Sequence, residues 1–284
     1  MESTPSSEPK RDRESMLAPK TFRYLAPVEE EGVATIVLDR PDTLNSLTFA
    51  VYRELTDFLL ALRHESKVRA LVLTGEGRGF CSGGSVHDII GPLLKLPAHE
   101  LLAFTRMTGE LIGNLRSLPK PVVAAINGVA AGAGAVIALA CDFRVAAETS
   151  KIAFLFNRVG LCGADMGAGW LLPQVVGLGR ATEILMLGEP VVAPRALEIG
   201  LVHRVTPDAA TARSEALALA RKLASGPTFA HGMTKTMLSQ EANMSLAQAL
   251  EAEAQAQQIC MQTHDFREAY HAFIEKREPR FTGR

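Results

Sequence analysis

The sequence is poor in the features that mark several protein classes. It carries four cysteines in 284 residues, Cys81, Cys141, Cys162 and Cys260, and none of them forms a CxxC pair. That count and spacing fit neither a disulfide framework nor a zinc site, and the expectation is a reducing, cytoplasmic setting with no bound metal. There is no surplus of either charge sign, since 30 Lys and Arg stand against 31 Asp and Glu for a net charge of -1. Phosphate neutralisation needs clustered basic residues, so a general nucleic-acid binder is excluded. The N-terminus lacks a basic start followed by an apolar stretch, being Ser, Pro and mixed charge from Met1 to Lys20. Residues 1–20 are expected to be a disordered tail with no targeting role.

A membrane span is also missing. The longest charge-free run, Pro121 to Cys141, covers 21 residues, close to the roughly 20 that cross a bilayer. Pro121, Asn127, Gly128, Gly132 and Gly134 interrupt it, and Ala stands where a spanning helix would carry Leu and Ile. It reads as strand, turn and buried helix.

What is present is a large apolar fraction, 47% of the chain, at a length that buries roughly three quarters of the surface exposed by the unfolded form. Val33 to Leu38 is a β-branched run stopped by the turn at Asp39-Arg40-Pro41-Asp42, as expected of a strand. After Ser46, Leu47, Val51, Leu55, Phe58, Leu59 and Leu62 recur at spacings of three and four, which predicts a helix with one apolar face. Ala70 to Thr74 is a short continuous apolar run, the pattern of a strand covered on both faces. The alternation continues with a helix from Leu101 to Leu115, a strand from Val122 to Ile126, a helix from Gly132 to Ala140 and a strand from Phe143 to Ala146. Beyond Met166 the pattern is mostly helical: 181–187, 194–197, 208–224, 227–238, 246–261 and 265–276, with one strand at Leu201 to Val205. The expected architecture is α/β, with an N-terminal α/β region followed by a helical C-terminal one.

Two glycine-rich turns follow the C-terminal ends of strands, where ligands of open α/β sheets sit. One is Gly77-Arg-Gly-Phe-Cys-Ser-Gly-Gly-Ser85 and the other Asn127-Gly-Val-Ala-Ala-Gly-Ala-Gly134. Neither matches the GxxxxGK[ST] or GxGxxG phosphate fingerprints, which weighs against a nucleotide triphosphate or dinucleotide. Two main-chain N–H groups from separate turns, aimed at one oxygen, would form an oxyanion hole. The same glycines also fit a purely structural role in tight turns and helix packing.

The ordered set of motifs carries a more specific resemblance. Leu38-Asp-Arg-Pro-Asp-Thr-Leu-Asn-Ser-Leu47, Arg78-Gly-Phe-Cys-Ser-Gly-Gly84, Ala124-Ala-Ile-Asn-Gly-Val-Ala-Ala-Gly-Ala-Gly134 with Cys141-Asp142, and Ala196-Leu-Glu-Ile-Gly-Leu-Val-His-Arg-Val205 are similar to segments of the crotonase superfamily, the enoyl-CoA hydratases and isomerases. Leu172 to Gly177, Ala181 to Gly188 and Ala272 to Arg277 resemble its later segments, so the match runs from about Phe22 to Arg284. The resemblance implies a crotonase (ClpP-like) spiral of repeated ββα units across 21–205, and a helical trimerisation region across 206–284. It also implies a homotrimer or dimer of trimers, a coenzyme A thioester substrate and no separate cofactor.

By position, the resemblance assigns the oxyanion N–H groups to Gly84 and Ala133, the latter where the family more often has Gly. Hydratases of the family commonly use two glutamates, and here the corresponding positions hold Val136 and, depending on a one-residue gap, Phe156 or Asn157. The two-glutamate hydration mechanism is thereby put in question. Asp165, in Gly160-Leu-Cys-Gly-Ala-Asp-Met-Gly167, resembles the active Asp of branches that isomerise dienoyl-CoA or dehalogenate aromatic acyl-CoA. An Asp just before a helix can equally serve as its N-cap. His87, after the first turn, is either a pocket participant or a surface residue. Val136 and Phe156 would form an apolar pocket floor. Asn45, Ser46, Arg78, Ser82 and Gly83 would line the coenzyme path, and Phe273 and Lys276 would reach a neighbouring subunit's coenzyme, a lone Lys being as readily a solvated surface group. The function implied is an acyl-CoA enzyme that hydrates or isomerises an enoyl-CoA. Alternatives are an isomerase or hydrolase acting on an aromatic or dearomatised ring acyl-CoA through Asp165, and a catalytically silent acyl-CoA binding subunit.

Overall fold

The computed structural model describes residues 28–284, so the tail expected over 1–20 lies outside the described residues. In chain order the elements are β1 (Val28–Glu30), β2 (Val33–Leu38), α1 (Phe49–His64), β3 (Ala70–Gly75), β4 (Gly79–Cys81), a π-helical turn (Val86–Ile90), α2 (Gly91–Leu93) and α3 (Ala98–Ser117). Next come β5 (Val122–Ile126), β6 (Val129–Ala131), α4 (Ala133–Ala140), β7 (Phe143–Ala147), β8 (Lys151–Ala153), a 3-10 turn (Leu155–Val159), α5 (Ala168–Val176), α6 (Leu178–Leu187), β9 (Val191–Val192) and α7 (Ala193–Glu198). The chain ends with β10 (Arg204–Thr206), α8 (Ala209–Ser225), α9 (Thr228–Glu241), α10 (Leu246–Met261) and α11 (His264–Glu275).

Two sheets result, a six-stranded one in the order β1-β2-β3-β5-β7-β10 and a four-stranded one in the order β4-β6-β8-β9. From β3 onward successive strands alternate between them: β3, β5 and β7 enter the first, and β4, β6 and β8 the second. Pairing is parallel throughout β2-β3-β5-β7-β10 and β4-β6-β8, with β1 and β9 added antiparallel. This is the repeated ββα spiral of the crotonase fold.

Burial on both faces explains the unbroken apolar strands. One face of the large sheet, with Leu71, Leu73, Val122 and Ala124, packs into the main core with α1, α3, α4 and α5. The other face, with Val72, Val123, Ala125 and Val145, is covered by Ala212, Ala216, Ala220 and Ala224 of α8. Spaced by four, these alanines form one stripe, and their small side chains let the helix approach the sheet closely. The division expected after residue 205 therefore falls inside β10, and α8 packs on the sheet.

The structure corrects three expectations. The strand predicted over Leu201 to Val205 is confined to Arg204–Thr206, because Val202 N–H turns back to the Ala196 carbonyl at 3.1 Å before the sheet is reached. α1 begins at Phe49, not at Leu47 where the apolar spacing starts it, and is capped by the Thr48 hydroxyl, which accepts from Val51 N–H at 3.3 Å. Gly132, at φ 51°, stands outside the helix it was expected to open, which begins at Ala133.

Candidate active site

The first glycine turn is held from three sides. Leu47 N–H donates to the Gly83 carbonyl at 2.7 Å, and Ser85 N–H donates to the Leu47 carbonyl at 2.8 Å, making a parallel bridge between Leu47 and Gly84. A bridge that uses the groups of residues 83 and 85 turns the N–H of Gly84 itself to the opposite side. Asn45, buried and at φ 59°, accepts from Arg40 N–H at 2.8 Å and donates to the carbonyls of Glu76 and Gly79 at 2.9 and 2.7 Å. Asn127, at the end of β5, also donates to the Gly79 carbonyl, at 3.1 Å. Two amides on one carbonyl thus lock the turn that leads into β4.

The second turn abuts the first. Gly132 N–H donates to the Ala153 carbonyl at 2.8 Å, leaving Ala133 as the first residue of α4, where a helical N–H has no partner within the helix. An ideal Cβ placed on Gly83 would lie 2.8 Å from the Ala131 carbonyl oxygen and 3.4 Å from Ala133 N. With Gly83 at φ 90°, glycine is what permits this approach. The two turns meet, and Gly84 and Ala133 both line one cavity.

That cavity has a volume of about 220 Å³, and its walls include Tyr52, Ile89, Leu93, Phe104, Thr108, Leu155, Phe156 and Met166. Phe104 stands edge-on to both Phe49 and Tyr52, with ring centroids 5.4 and 6.3 Å apart. Among its lining residues Asp165 is the one carboxylate. The Asp165 side chain is not the N-cap of α5: that position is Gly167, and it is the Asp165 main-chain carbonyl that accepts from Ala168 N–H at 2.8 Å. Its carboxyl is held above the ordinary aspartate range, chiefly by burial, with the Met166 N–H opposing the shift. A carboxylate with raised basicity in a cavity that Gly84 and Ala133 also line can take and return a proton.

Of the residues expected at the site, Ser82, Gly83, Gly84, Ala133, Phe156 and Asp165 all line this cavity. Val136 does not: it is fully buried within α4. Asn157 faces the other way, its amide donating to the Met186 carbonyl. His87 is exposed on the π-helical turn outside the cavity wall. Ser46 presents its carbonyl to Arg40 at 2.6 Å, while Arg78, Phe273 and Lys276 are exposed. The Cys81 thiol, buried beneath the first turn, is pushed up to about 12 by burial, which makes it a packing residue. Asp142 bridges Lys235 at 2.8 Å and Arg116 at 3.4 Å and accepts from Val122 N–H at 2.8 Å, a structural clamp away from the cavity. Sequence reasoning missed Tyr52, Phe104 and Met166. Tyr52 falls on the same helical face as Leu55 and Leu59, and only its hydroxyl distinguished it from another core residue.

The fold and the paired turns define an enzyme of the crotonase fold. The family profile described as enoyl-CoA hydratase/isomerase matches residues 28–284, and the chain belongs to that family. It is 39% identical to the 1,2-epoxyphenylacetyl-CoA isomerase of Escherichia coli (strain K12), covering 90% of this chain and 97% of that protein. Among solved structures, a Streptomyces coelicolor A3(2) protein assigned as an enoyl-CoA hydratase superposes with a TM-score of 0.91 at 50% identity over 99% of this chain and 98% of the other. The enoyl-CoA hydratase of Bacillus anthracis gives a TM-score of 0.86 at 31% identity over 92% of this chain and 100% of that one.

Proposed function

We propose that the protein isomerises an acyl-CoA thioester through an enolate, with Asp165 carrying the proton. The observation behind this reading is that Asp165 is the single carboxylate among the described residues lining a largely apolar cavity. Hydration must both hold a water and move its proton, which the family's hydratases do with two carboxylates. An isomerisation needs one base that removes a proton at one carbon and returns it at another. The Asp165 carboxylate would take the proton from the carbon beside the thioester carbonyl or from its vinylogue, leaving the electron pair delocalised onto the thioester oxygen. Gly84 and Ala133 N–H would donate to that oxygen, and the protonated Asp165 would deliver the proton to the new position. Binding of the thioester, orientation of its carbonyl and proton return thus all fall to groups lining one cavity.

The cavity, about 220 Å³, is smaller than the roughly 300–1,000 Å³ of sites that enclose a whole drug-sized ligand. It suits the acyl end alone, and its aromatic and branched walls favour a ring or compact chain. The 39% identical relative is named for an isomerase of a phenylacetyl-CoA epoxide, which supports a ring-bearing acyl group. The coenzyme would run outward past Asn45, Ser46 and Ser82, with exposed Arg78 near its phosphates. Phe273, 81% exposed, and Leu246, 76% exposed, support burial of the C-terminal helices in a homotrimer or dimer of trimers, with Phe273 and Lys276 close to a neighbouring coenzyme. Free thiols at all four cysteines support a reducing, cytoplasmic setting.

The test is incubation in D2O with 2-enoyl-, 3-enoyl- and phenylacetyl-CoA, followed by NMR and mass spectrometry. Deuterium uptake beside the carbonyl and double-bond migration, both lost in Asp165→Asn, are expected. A 3-hydroxyacyl-CoA as the main product, or exchange that persists in Asp165→Asn, would overturn the reading.

A further inference from the structure

Three side-chain hydroxyls line the cavity, those of Tyr52, Ser82 and Thr108. Two of them spend their donors on the main chain: Ser82 Oγ donates to the Thr43 carbonyl at 3.0 Å and Thr108 Oγ1 to the Thr105 carbonyl at 3.0 Å. The third does not. Tyr52 is 2% exposed, and its hydroxyl meets the Met166 sulfur at 4.0 Å. A thioether is a weak acceptor, so this phenol is buried without a partner of matching strength, a state that costs stability. Its ring is fixed edge-on to Phe104, and Met166 beneath the hydroxyl sits in the left-handed region at φ 50°, directly after Asp165. Burial first, then the nearby Cys81 and Asp165, push the phenol well above its ordinary value. It stays a neutral donor wherever the enzyme works.

We propose that Tyr52 donates a hydrogen bond to an oxygen on the acyl group itself, so that the preferred substrate is an oxygen-bearing acyl-CoA and not a plain hydrocarbon chain. The inference rests on the reading of the cavity as the acyl site. On that reading the thioester oxygen is already served by the Gly84 and Ala133 N–H groups, and the Tyr52 hydroxyl, against Met166 next to Asp165, is a further donor. An apolar pocket discriminates poorly between acyl groups of similar shape, whereas a buried donor left unpaired rejects the analogue that lacks the oxygen. Tyr52 is thereby a specificity residue for the acyl group, distinct from the base.

The test is a double-mutant cycle read by binding, with deuterium exchange as a second, separate readout. Isothermal titration of wild-type and Tyr52→Phe enzyme with phenylacetyl-CoA and with the 2-, 3- and 4-hydroxyphenylacetyl-CoA isomers gives the coupling between the phenol and each ligand oxygen. For at least one isomer the hydroxyl should tighten binding to the wild type by about tenfold and have no such effect in Tyr52→Phe. Phenylacetyl-CoA itself should bind both proteins within about threefold. A coupling below twofold for every isomer would overturn the proposal, as would a Tyr52→Phe variant whose pH profile for deuterium exchange is shifted, since Tyr52 would then act through Asp165. Loss of Asp165-dependent exchange with the coupling intact would instead remove the isomerase reading and leave the acyl-oxygen contact standing.

Discussion

Replacing Gly83 by Ala should separate an effect on catalysis from an effect on stability. The new methyl would stand 2.8 Å from the Ala131 carbonyl oxygen. To reach 3.4 Å, the near edge of ordinary contact, the turns must part by 0.6 Å, the difference between those distances. The Gly84 and Ala133 N–H groups ride on those turns, and misplacement on this scale costs about 10²-fold in rate, comparable to loss of one oxyanion donor. Backbone strain at φ 90° adds a stability loss of about 1–3 kcal/mol. Gly177→Ala supplies the control, because Gly177 has φ 81° and a methyl group there would meet no atom within 4 Å. It should show a similar strain cost with kcat unchanged. The measurements are kcat for deuterium exchange into an acyl-CoA and thermal melting by circular dichroism. A Gly83→Ala enzyme within threefold of wild-type kcat, or a Gly177→Ala enzyme that loses as much activity, would refute the assignment of the hole to these turns.

Asp165→Asn should abolish proton transfer, by about 10²–10⁴-fold in exchange rate, yet raise the melting temperature at pH 7. The sign follows from burial: the folded-state value lies above the ordinary 3.8, so ionising the group costs stability as pH rises through the folded value, and the advantage of the Asn variant should vanish below about pH 3.8 in a pH series of melts. Asn45→Ala removes three side-chain hydrogen bonds, and urea denaturation should show a loss of about 2–4 kcal/mol. Lys235→Met leaves the half-buried Asp142 with Arg116 and the Val122 N–H as partners and should cost about 1–3 kcal/mol, much of it recovered in the double variant with Asp142→Asn.

Much of the fold was legible because long elements declare themselves by period. Val33–Leu38, Val122–Ile126 and Leu246–Met261 appear where the residue pattern places them. The second sheet was not, because β4, β6, β8 and β9 have only two or three residues each. Such strands exist through partners far along the chain, such as Ala130 with Ile152, and carry no periodic signal of their own. The same limit applied at the site. The glycine turns and Asp165 stood out as residue types, while nothing in the pattern singled out Tyr52 and Phe104, which α1 and α3 bring together. Val136 shows the converse: aligned with a catalytic position, it is packed inside α4, so the pocket floor lies elsewhere.

The apolar walls do two things at once that point to one chemistry. Burial raises the basicity of Asp165 toward the range useful for proton transfer, and the Leu93, Phe104, Phe156 and Met166 surfaces around it carry no second carboxylate to anchor a water. A hydratase would need that anchor, and supplying one by a glutamate on α4 would place a charge where Val136 is now fully enclosed. Gain of hydratase activity therefore requires more than Val136→Glu. That variant should lose stability by several kcal/mol through an unpaired buried charge and form no 3-hydroxyacyl-CoA from 2-enoyl-CoA. Hydration by the single variant would mean that residue 136 reaches the acyl group, although Val136 is not among the residues lining the cavity.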